Sequence, residues 1–341
     1  MRELRVQSLP LHEVIRDLSE EFQCRYTEDC GEYLIELPSE VGMGYIRGID
    51  FGRGFGLIEY FCRFNETVKI HFSLSKVHPL KFIFCSFGKV LHTFEELESV
   101  NSIHKYQNIL VASSNHNGHV LQFEANKRIH LNSLEIDRKR FVKEFSCNLS
   151  ELEHPLKPLF KDESGNKLFF YQGNYSLRTA DIIIQMNSGD YEGFLRTIRL
   201  ESSALEMLAV QIEQYEDDLK LRNNQTVIRR RDIDQIKKAV QRIKESLAEP
   251  ITIKSLSQEL GMNPNKLQNG FKYLYRDTVN NFIQQLRLEK AQDLLLHSDL
   301  NISEITSSVG LANPSYLSRM FRKKYGITPR EFRKGIVPME K

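Results

Sequence analysis

The pattern of apolar and polar positions divides the chain into a β-rich first part and a helical second part. Between about Tyr33 and Ile136, short apolar runs alternate with polar positions, and Gly, Asn and Pro separate the runs. This alternation predicts strands with one buried and one wet face, arranged as a small sandwich or barrel. About eight strands are predicted, at YLIEL, GYIRGIDF, GLIEYFCRF, VKIHFSL, LKFIFCSFG, NILVASS, HVLQFEA and RIHLNSLEI.

The flanking segments have helical patterns. Residues 1–25 predict a short amphipathic helix followed by a link, and residues 138–228 predict mostly helix, including a long one from Gly189 to about Leu221. Residues 190–221 are a candidate homodimer interface, because apolar positions recur every seven residues. Packing of this helix against its own domain is the alternative, since Glu201 interrupts the seam. The seam consists of Ile198, Leu205, Ile212 and Leu219, with Leu208 and Tyr215 beside it.

Residues 302–333 read as a helix, a tight turn and a second helix. Ser303 is predicted to cap the first helix, and Gly310 to end it. Asn313 then caps the second helix, with Pro314 at its first position. The predicted buried stripe of the second helix is Leu317, Met320 and Phe321, and the outward positions are Ser315, Tyr316, Ser318, Arg319 and Arg322.

The same pattern occurs about 50 residues earlier, with Gly261 in place of Gly310 and Asn263–Pro264 in place of Asn313–Pro314. Between the copies, Val279–His297 predicts one helix of about 28 Å. Successive major grooves on one face of DNA lie about 34 Å apart, so such a helix could place two recognition helices in neighbouring grooves. A single copy would be equally consistent with a structural helical hairpin, but the tandem arrangement favours a DNA reader.

Together, the doubled helix-turn-helix, the connecting RLEKAQDLLL, the second turn VGLANPSYLSRMFRKKYG and the closing ITPREFR resemble the DNA-binding domain of AraC/XylS-type transcription regulators. The resemblance covers about the last hundred residues. It implies a sequence-specific regulator whose partners are double-stranded promoter DNA and RNA polymerase. The DNA-binding residues expected from it and from the outward face of the second unit are Asn265, Lys266, Gln268, Asn269, Ser315, Tyr316, Arg319 and Arg322. The chain departs from many family members at Asn269 and Gly270, which replace an arginine and a large apolar residue.

The resemblance also implies an N-terminal cupin-like β-barrel that binds a small effector. The stretches GYIRGIDFGRGFGLIEY and PLKFIFCSFG resemble the sensor half of siderophore-responsive members, so a siderophore-like effector is expected. The predicted fold is α+β. A β-rich effector domain occupies residues 1–150, a helical segment with the dimer helix 151–228, and an all-α domain of two helix-turn-helix units 229–341.

Charge supports this division. The net charge of +2 over 341 residues is unevenly spread, because residues 229–341 contain 21 Lys and Arg against 12 Asp and Glu. The last part is therefore +9 and the remainder −7, as expected if only the last part contacts phosphates. Arg229, Arg230 and Arg231 could contact phosphate or form a solvated linker. No apolar run approaches a bilayer span, so a soluble, cytoplasmic protein without membrane contact is expected.

The first part suggests a ligand pocket more than an active site. Its phenylalanines could line a pocket for an apolar or ring-bearing effector, or form a core. A metal enzyme is disfavoured because His116 and His119 lie in a turn-like sequence without a nearby carboxylate motif. No cysteine has the context of an alkyl-transfer nucleophile, so we expect no catalytic residue, metal or cofactor. The phenylalanines are Phe51, Phe55, Phe61, Phe64, Phe72, Phe82, Phe84 and Phe87.

Overall fold

The computed structural model divides the chain into two compact units, Met1–Gln225 and Thr226–Lys341. It describes residues 1–73, 77–97, 99–114, 117–145, 152, 156–188, 191–221, 230–275 and 277–334. His116, Arg229 and the polar stretch 223–226 therefore lie outside the described residues. No helix in the described part of the chain has the length and apolar composition that a bilayer span requires.

The first unit is built on two sheets. The strands are β1 Arg2–Val6, β2 Tyr26–Asp29, β3 Glu32–Glu36, β4 Gly42–Asp50, β5 Phe55–Phe64, β6 Val68–Phe72, β7 Leu80–Phe87, β8 Lys89–Phe94, β9 Asn101–His104, β10 Gln107–Ala112, β11 His119–Phe123, β12 Ile129–Ile136 and β13 Phe169–Tyr175. A 5-stranded sheet has the order β1-β6-β11-β8-β9, and an 8-stranded sheet has the order β13-β10-β7-β12-β5-β4-β3-β2.

All the strands predicted from alternation are present, as β3–β7 and β10–β12. In β6, Val68, Ile70 and Phe72 are buried between the half-exposed Lys69 and His71, which confirms the predicted alternation. Apolar residues of both sheets, including Leu4, Ile58 and Val90, join one buried cluster. This cluster is the core of the first unit.

Two predictions about the flanking segments were incomplete. Residues 1–25 contain the predicted helix, α1 Leu11–Glu21, but also strand β1, which pairs in parallel with β6. Residues 138–228 contain strand β13 as well as helices, and β13 pairs with β10. In β1 only Leu4 and Val6 are buried, so two apolar residues among charged ones left too short a pattern to detect.

The long helix of the first unit packs mainly inward. α5 begins at Gly193, later than predicted, and contacts α4 and β13. Tyr215, predicted to flank the seam, lies against Tyr171 of β13, and Tyr171 also donates a hydrogen bond to Asp218. The remaining helices of this unit are α2 Arg138–Phe145, α3 Leu156–Phe160 and α4 Leu177–Met186, and α5 ends at Leu221.

The predicted seam lies beside this inward face. Leu205, Ile212 and Leu219 are half-buried, and Ile198 is exposed. The buried positions are Leu200, Ala204, Met207, Leu208, Val210, Gln211, Gln214, Tyr215 and Asp218. Packing against its own domain therefore accounts for most of the apolar surface of α5.

The second unit is helical throughout its described elements. They are α6 Arg230–Glu245, α7 Ile253–Glu259, α8 Pro264–Tyr275, α9 Val279–His297, α10 Ile302–Ser308, α11 Pro314–Tyr325 and α12 Pro329–Arg333. Helix α9 has the bounds predicted from the sequence.

Candidate nucleic-acid interface

The second helix-turn-helix begins with a reciprocal cap on α10. The side-chain oxygen of Asn301 accepts hydrogen bonds from the backbone N–H groups of Ser303 and Glu304, at 2.9 and 3.0 Å. The Glu304 carboxylate in turn accepts the Asn301 N–H at 2.7 Å. The prediction that Ser303 caps this helix was therefore wrong. Asn301 is the cap because it and Glu304 form a capping box, in which each side chain accepts a hydrogen bond from the backbone N–H of the other residue.

The turn and the second helix follow the predicted pattern. Gly310 has a φ of 72° just after the end of α10, a conformation in which glycine has no steric penalty. The Asn313 side chain accepts the Tyr316 N–H at 2.8 Å, and Pro314 occupies the first turn of α11. Leu317 and Phe321 are buried, as predicted, and Met320 packs against them half-buried.

One hydrophobic cluster fixes this unit on the connecting helix. Leu288, Ala291 and Leu295 of α9 pack with Ile305 and Val309 of α10 and with the buried stripe of α11. The orientation of α11 is therefore set by a continuous core, and its opposite face is free to carry polar residues.

The first helix-turn-helix repeats the same local structure. Thr252 and Ser255 form a capping box on α7 at the positions that correspond to Asn301 and Glu304. Gly261 has a φ of 60°, and the Asn263 side chain accepts the Asn265 N–H at 2.9 Å at the start of α8. The internal repeat predicted from sequence is thus a repeat of caps, turns and helices.

Gly270 in α8 has a packing role. A Cβ built on Gly270 would lie 1.8 Å from Cδ1 of Ile236 in α6. Glycine therefore allows α6 to approach α8 closely, and this contact explains why a large apolar residue is absent at this position. The helix propensity lost at Gly270, about 1 kcal/mol relative to alanine, is offset by this packing.

The expected DNA-binding residues divide into two groups. Gln268 and Tyr316 are half-buried and hydrogen-bonded within the unit: Gln268 accepts the Val279 N–H at 3.4 Å, and the Tyr316 hydroxyl accepts from Gln284 at 2.8 Å. These two side chains hold α8 and α11 against α9. The exposed group comprises Asn265, Lys266 and Asn269 on α8, and Ser315, Arg319 and Arg322 on α11.

Cations on these helices have different environments. The Arg319 guanidinium lies 5.3 Å from the centre of the Tyr316 ring, whereas Lys324 is 3.1 Å from Glu289 and Lys266 is 3.6 Å from Asp232. Within the described residues, Arg319 has no carboxylate at ion-pair distance. Arg319 is therefore available to contact a new acceptor.

Sequence reasoning missed the role of Arg287 in α9. Its Nε donates to the Leu247 carbonyl at 3.1 Å and its Nη2 to the Glu249 carbonyl at 2.9 Å, which holds the turn between α6 and α7. Burial lowers the pKa of Arg287. Its spacing of four residues from the buried Ile283 and Ala291 was the signal that it lies beside the core.

The first unit contains an interior cleft of about 400 Å³, whose wall includes Leu11, Phe55, His78, Glu135 and Arg138. Half of the eight predicted pocket phenylalanines form core instead: Phe64, Phe72, Phe82 and Phe84 are buried outside this wall, whereas Phe51 is half-buried. Phe61 and Phe87 are 50% and 48% exposed on the outer face of the 8-stranded sheet. In this cleft, the pocket prediction is supported at Phe55.

Three histidines in the described part of the first unit are buried, namely His78, His92 and His119. His119 is buried and stacks on Phe72 at 4.7 Å. Burial lowers the pKa of His78 and of His92 to about 4, and that of His119 also falls below its ordinary value. These imidazoles are therefore uncharged at neutral pH, and only His78 lines the cleft.

Comparison with known proteins matches both units. A family model described as the N-terminal domain of the regulatory protein PchR matches residues 43–224, which is more than half of the chain. A second model, described as a helix-turn-helix domain, matches residues 256–335.

Individual relatives match over about a quarter of the chain. Histidine kinase P4 of Formosa agariphila is 38% identical over 98 residues, which cover 28% of this chain and 7% of the relative. The HTH-type transcriptional regulator CdhR of Pseudomonas aeruginosa is 31% identical over 91 residues, 27% of each chain. The C-terminal domain of the response regulator yesN from Fusobacterium nucleatum is 32% identical, covering 28% of this chain and 95% of that one, with a TM-score of 0.28. The chain thus matches less than a third of the length of histidine kinase P4 and of CdhR.

Proposed function

Because this chain belongs to the AraC/XylS-type regulators that carry the N-terminal domain of the regulatory protein PchR, we propose that it reads promoter DNA through two helix-turn-helix units and responds to a small effector. The observation that carries the proposal is the repeated cap, glycine turn and exposed helix face at α7–α8 and α10–α11. Helix α9 joins the two copies and spans about 28 Å. This length suits two recognition helices in successive major grooves.

Different side chains of each helix-turn-helix are proposed to contact different parts of the DNA. Asn265 and Asn269 on α8, and Ser315 and Arg319 on α11, are exposed near the start or middle of their helices and are proposed to contact base edges. Lys266 and Arg322 are proposed to contact phosphates and so to supply the salt-dependent part of the affinity. Gln268 and Tyr316 are proposed to approach bases while their internal hydrogen bonds hold the helices in position.

The first unit is the proposed sensor. Its two sheets are proposed to form a cupin-like barrel, because residues from both share one buried cluster. The cleft walled by Leu11, Phe55 and Arg138 supports an effector with an apolar body and a polar group, and a siderophore-like molecule fits this description. Effector binding would shift the population of the DNA-binding state. The protein acts in this proposal by binding alone and has no catalytic step.

Two further partners belong to the proposal. Residues 190–221 are proposed to carry a homodimer contact, and Phe194, Leu195 and Ile198, which are exposed on the first turns of α5, support it. Paired readers would then meet repeated half-sites in the promoter. RNA polymerase is the expected partner of the DNA-bound protein.

Arg319→Ala should reduce discrimination at one base position by about 1–3 kcal/mol. The expected reason is the loss of a guanidinium that has no carboxylate partner among the described residues. Binding of the full-length variant to a set of single-base operator substitutions measures this effect.

Lys323→Ala is the matched control, because Lys323 is an exposed cation near the end of the same helix. It should weaken binding to all sequences by a similar factor and reduce the salt dependence. If Arg319→Ala leaves the base preference of the wild type intact, the assignment of Arg319 is wrong.

A further inference from the structure

The outer face of the 8-stranded sheet carries a row of aromatic side chains, in which Phe61 and Phe87 are half-exposed and Tyr45 and His130 are more buried. Tyr45 of β4 lies opposite Phe61 of β5, Phe61 opposite His130 of β12, and His130 opposite Phe87 of β7. The ring centres of Tyr45 and Phe61 are 5.4 Å apart, and those of Phe61 and His130 are 5.3 Å apart. We name these four residues the aromatic row. It spans about 14 Å across four adjacent strands.

The aromatic row borders a groove whose described lining carries positive but no negative side chains. Met43, Phe61, Phe87 and His130 line a groove of about 720 Å³ together with two guanidinium groups, and no described residue in its lining carries a carboxylate. This volume and this mainly apolar lining are typical of small-molecule sites. The half-exposed rings of Phe61 and Phe87 give a planar ligand two faces to contact.

The two guanidinium groups belong to Arg63 and Arg128. Arg63 lies opposite Met43 in the sheet, one residue pair beyond the exposed glycine at position 44. Its Nη2 contacts only the Met43 sulfur, at 3.1 Å, and its Nε has no hydrogen-bond partner in the described structure. Arg128 is exposed just before β12. Guanidinium groups bind carboxylates through paired hydrogen bonds, so these two cations have an unused capacity for an anion.

We propose that this groove binds a small organic anion, namely a carboxylate attached to a flat apolar body. The apolar body would lie along the aromatic row, and the carboxylate would contact Arg63 and Arg128. The two cations lie about 7 Å from the row along the strands, so both groups of one small molecule can be engaged together. The site is separate from the interior cleft, because the two share no described lining residue.

The groove is connected to the helices that follow the sheet. His130 lies edge-on against Phe61, and its Nε2 is 2.7 Å from the Glu59 carboxylate. Glu59 also accepts from Asn187, the residue that ends α4, at 3.0 Å. Asn187 in turn accepts from Arg47 at 2.9 Å. A ligand that moves the His130 ring would therefore change the contacts that hold the end of α4.

This connection suggests a regulatory role for the groove. Only this role, and not the binding site itself, rests on the proposed function. Arg47 also lies 3.2 Å from Glu32, and Glu32 accepts two hydrogen bonds from Arg196 of α5 at 3.1 and 2.9 Å. The network thus holds both α4 and the first turn of α5, the last helix described in this unit. Occupation of the groove would alter how firmly α5 is held on the sheet.

Calorimetric titration of the full-length protein with 2-naphthoate, and with the neutral 2-naphthalenemethanol as a matched probe, tests the site. We expect 2-naphthoate to bind and the pair of substitutions Arg63→Gln and Arg128→Gln to weaken it at least tenfold, with little change for the alcohol. Phe61→Ser should weaken both probes. The pair Lys139→Gln and Arg140→Gln, which removes two cations from the interior cleft, should leave 2-naphthoate binding unchanged.

Other results would overturn the proposal. Failure of 2-naphthoate to bind at millimolar concentration, or equal binding by the Arg63 and Arg128 variant, would exclude an anion site here. A change in the sedimentation coefficient of that variant without a change in 2-naphthoate affinity would mean that a second copy of the chain covers the groove.

Hydrogen exchange in the presence of 2-naphthoate tests the connection to the helices. We expect a change in exchange at Leu177–Met186 and in the first turns of α5 for the wild type, and none for the Arg63 and Arg128 variant. Unchanged exchange in the wild type with the probe bound would remove the regulatory role. Because these measurements contain no DNA, a failure of the proposed DNA reading would leave their result unaffected.

Discussion

Gly310→Ala is expected to destabilise the second helix-turn-helix and to reduce specific DNA affinity at least tenfold. Alanine in the left-handed conformation of Gly310 costs about 1–2 kcal/mol. In addition, its Cβ would lie 2.3 Å from the Leu247 carbonyl oxygen and 2.8 Å from that of Ala248, and moving these backbones apart adds about 1–3 kcal/mol. The displaced turn would also shift α11 relative to α9.

Gly261→Ala is the matched control, because Gly261 occupies the same place in the first repeat. Its φ is 60°, but no atom lies within 4 Å of the Cβ that alanine would add. Only the conformational cost, about 1–2 kcal/mol, should therefore appear. Urea unfolding and operator binding of both variants measure the difference. Equal losses for the two glycines would show that the contact of the Gly310 turn with Leu247 has no energetic role.

Glu59→Ala is expected to destabilise the first unit by about 3–5 kcal/mol. The Glu59 carboxylate is fully buried and lies 2.6 Å from Arg47, whose guanidinium is also buried. Burial alone would raise the pKa of Glu59, but the hydrogen bond from His130 and the charge of Arg47 bring the pKa below its ordinary value. Alanine would leave the Arg47 charge buried with less compensation and would remove the acceptor of His130 and Asn187.

The loss of stability caused by Glu59→Ala should become smaller at low pH. Because the folded pKa of Glu59 is lowered, its contribution is present above about pH 4.5 and is lost as the pH falls through the folded pKa. Glu124→Ala is the control, since Glu124 forms a half-exposed pair with Lys89 at 3.6 Å and should cost less than about 1 kcal/mol.

The chain has no tryptophan, so tryptophan fluorescence cannot follow its unfolding. Hydrogen exchange of β5 and β12 in increasing urea measures the stability of the first unit instead. A loss for Glu59→Ala no larger than that for Glu124→Ala would contradict the assigned role of the network.

Local signals predicted much of the fold. Alternation located β6 and its neighbours because each strand has one face on the core, and the cap at Asn313 was predicted because it stands beside a clear helical pattern. The bounds of α9 followed from apolar spacing between two breaks. Strand β1 was missed because its parallel pairing with β6 joins residues 66 apart in the sequence, and a run of five residues with two buried positions carries little local signal.

The sites were less predictable than the elements that carry them. Glu59 and Asn187 are 128 residues apart, so no local pattern links them. The aromatic row likewise depends on the register of four strands, which only the folded sheet defines. By contrast, the exposed positions Ser315 and Arg319 followed from helix periodicity, because the helix buries only one stripe. Asn265 was expected from the resemblance to AraC/XylS-type regulators.

Selection of bound sequences from a randomised duplex pool by the full-length protein, repeated at two salt concentrations, tests the central claim most directly. Two reading units joined by one rigid helix predict a motif of two blocks whose centres lie about one helical turn apart, with the block read by α11 altered in Arg319→Ala. A single block, or no enrichment above salt-sensitive non-specific binding, would contradict the tandem reader.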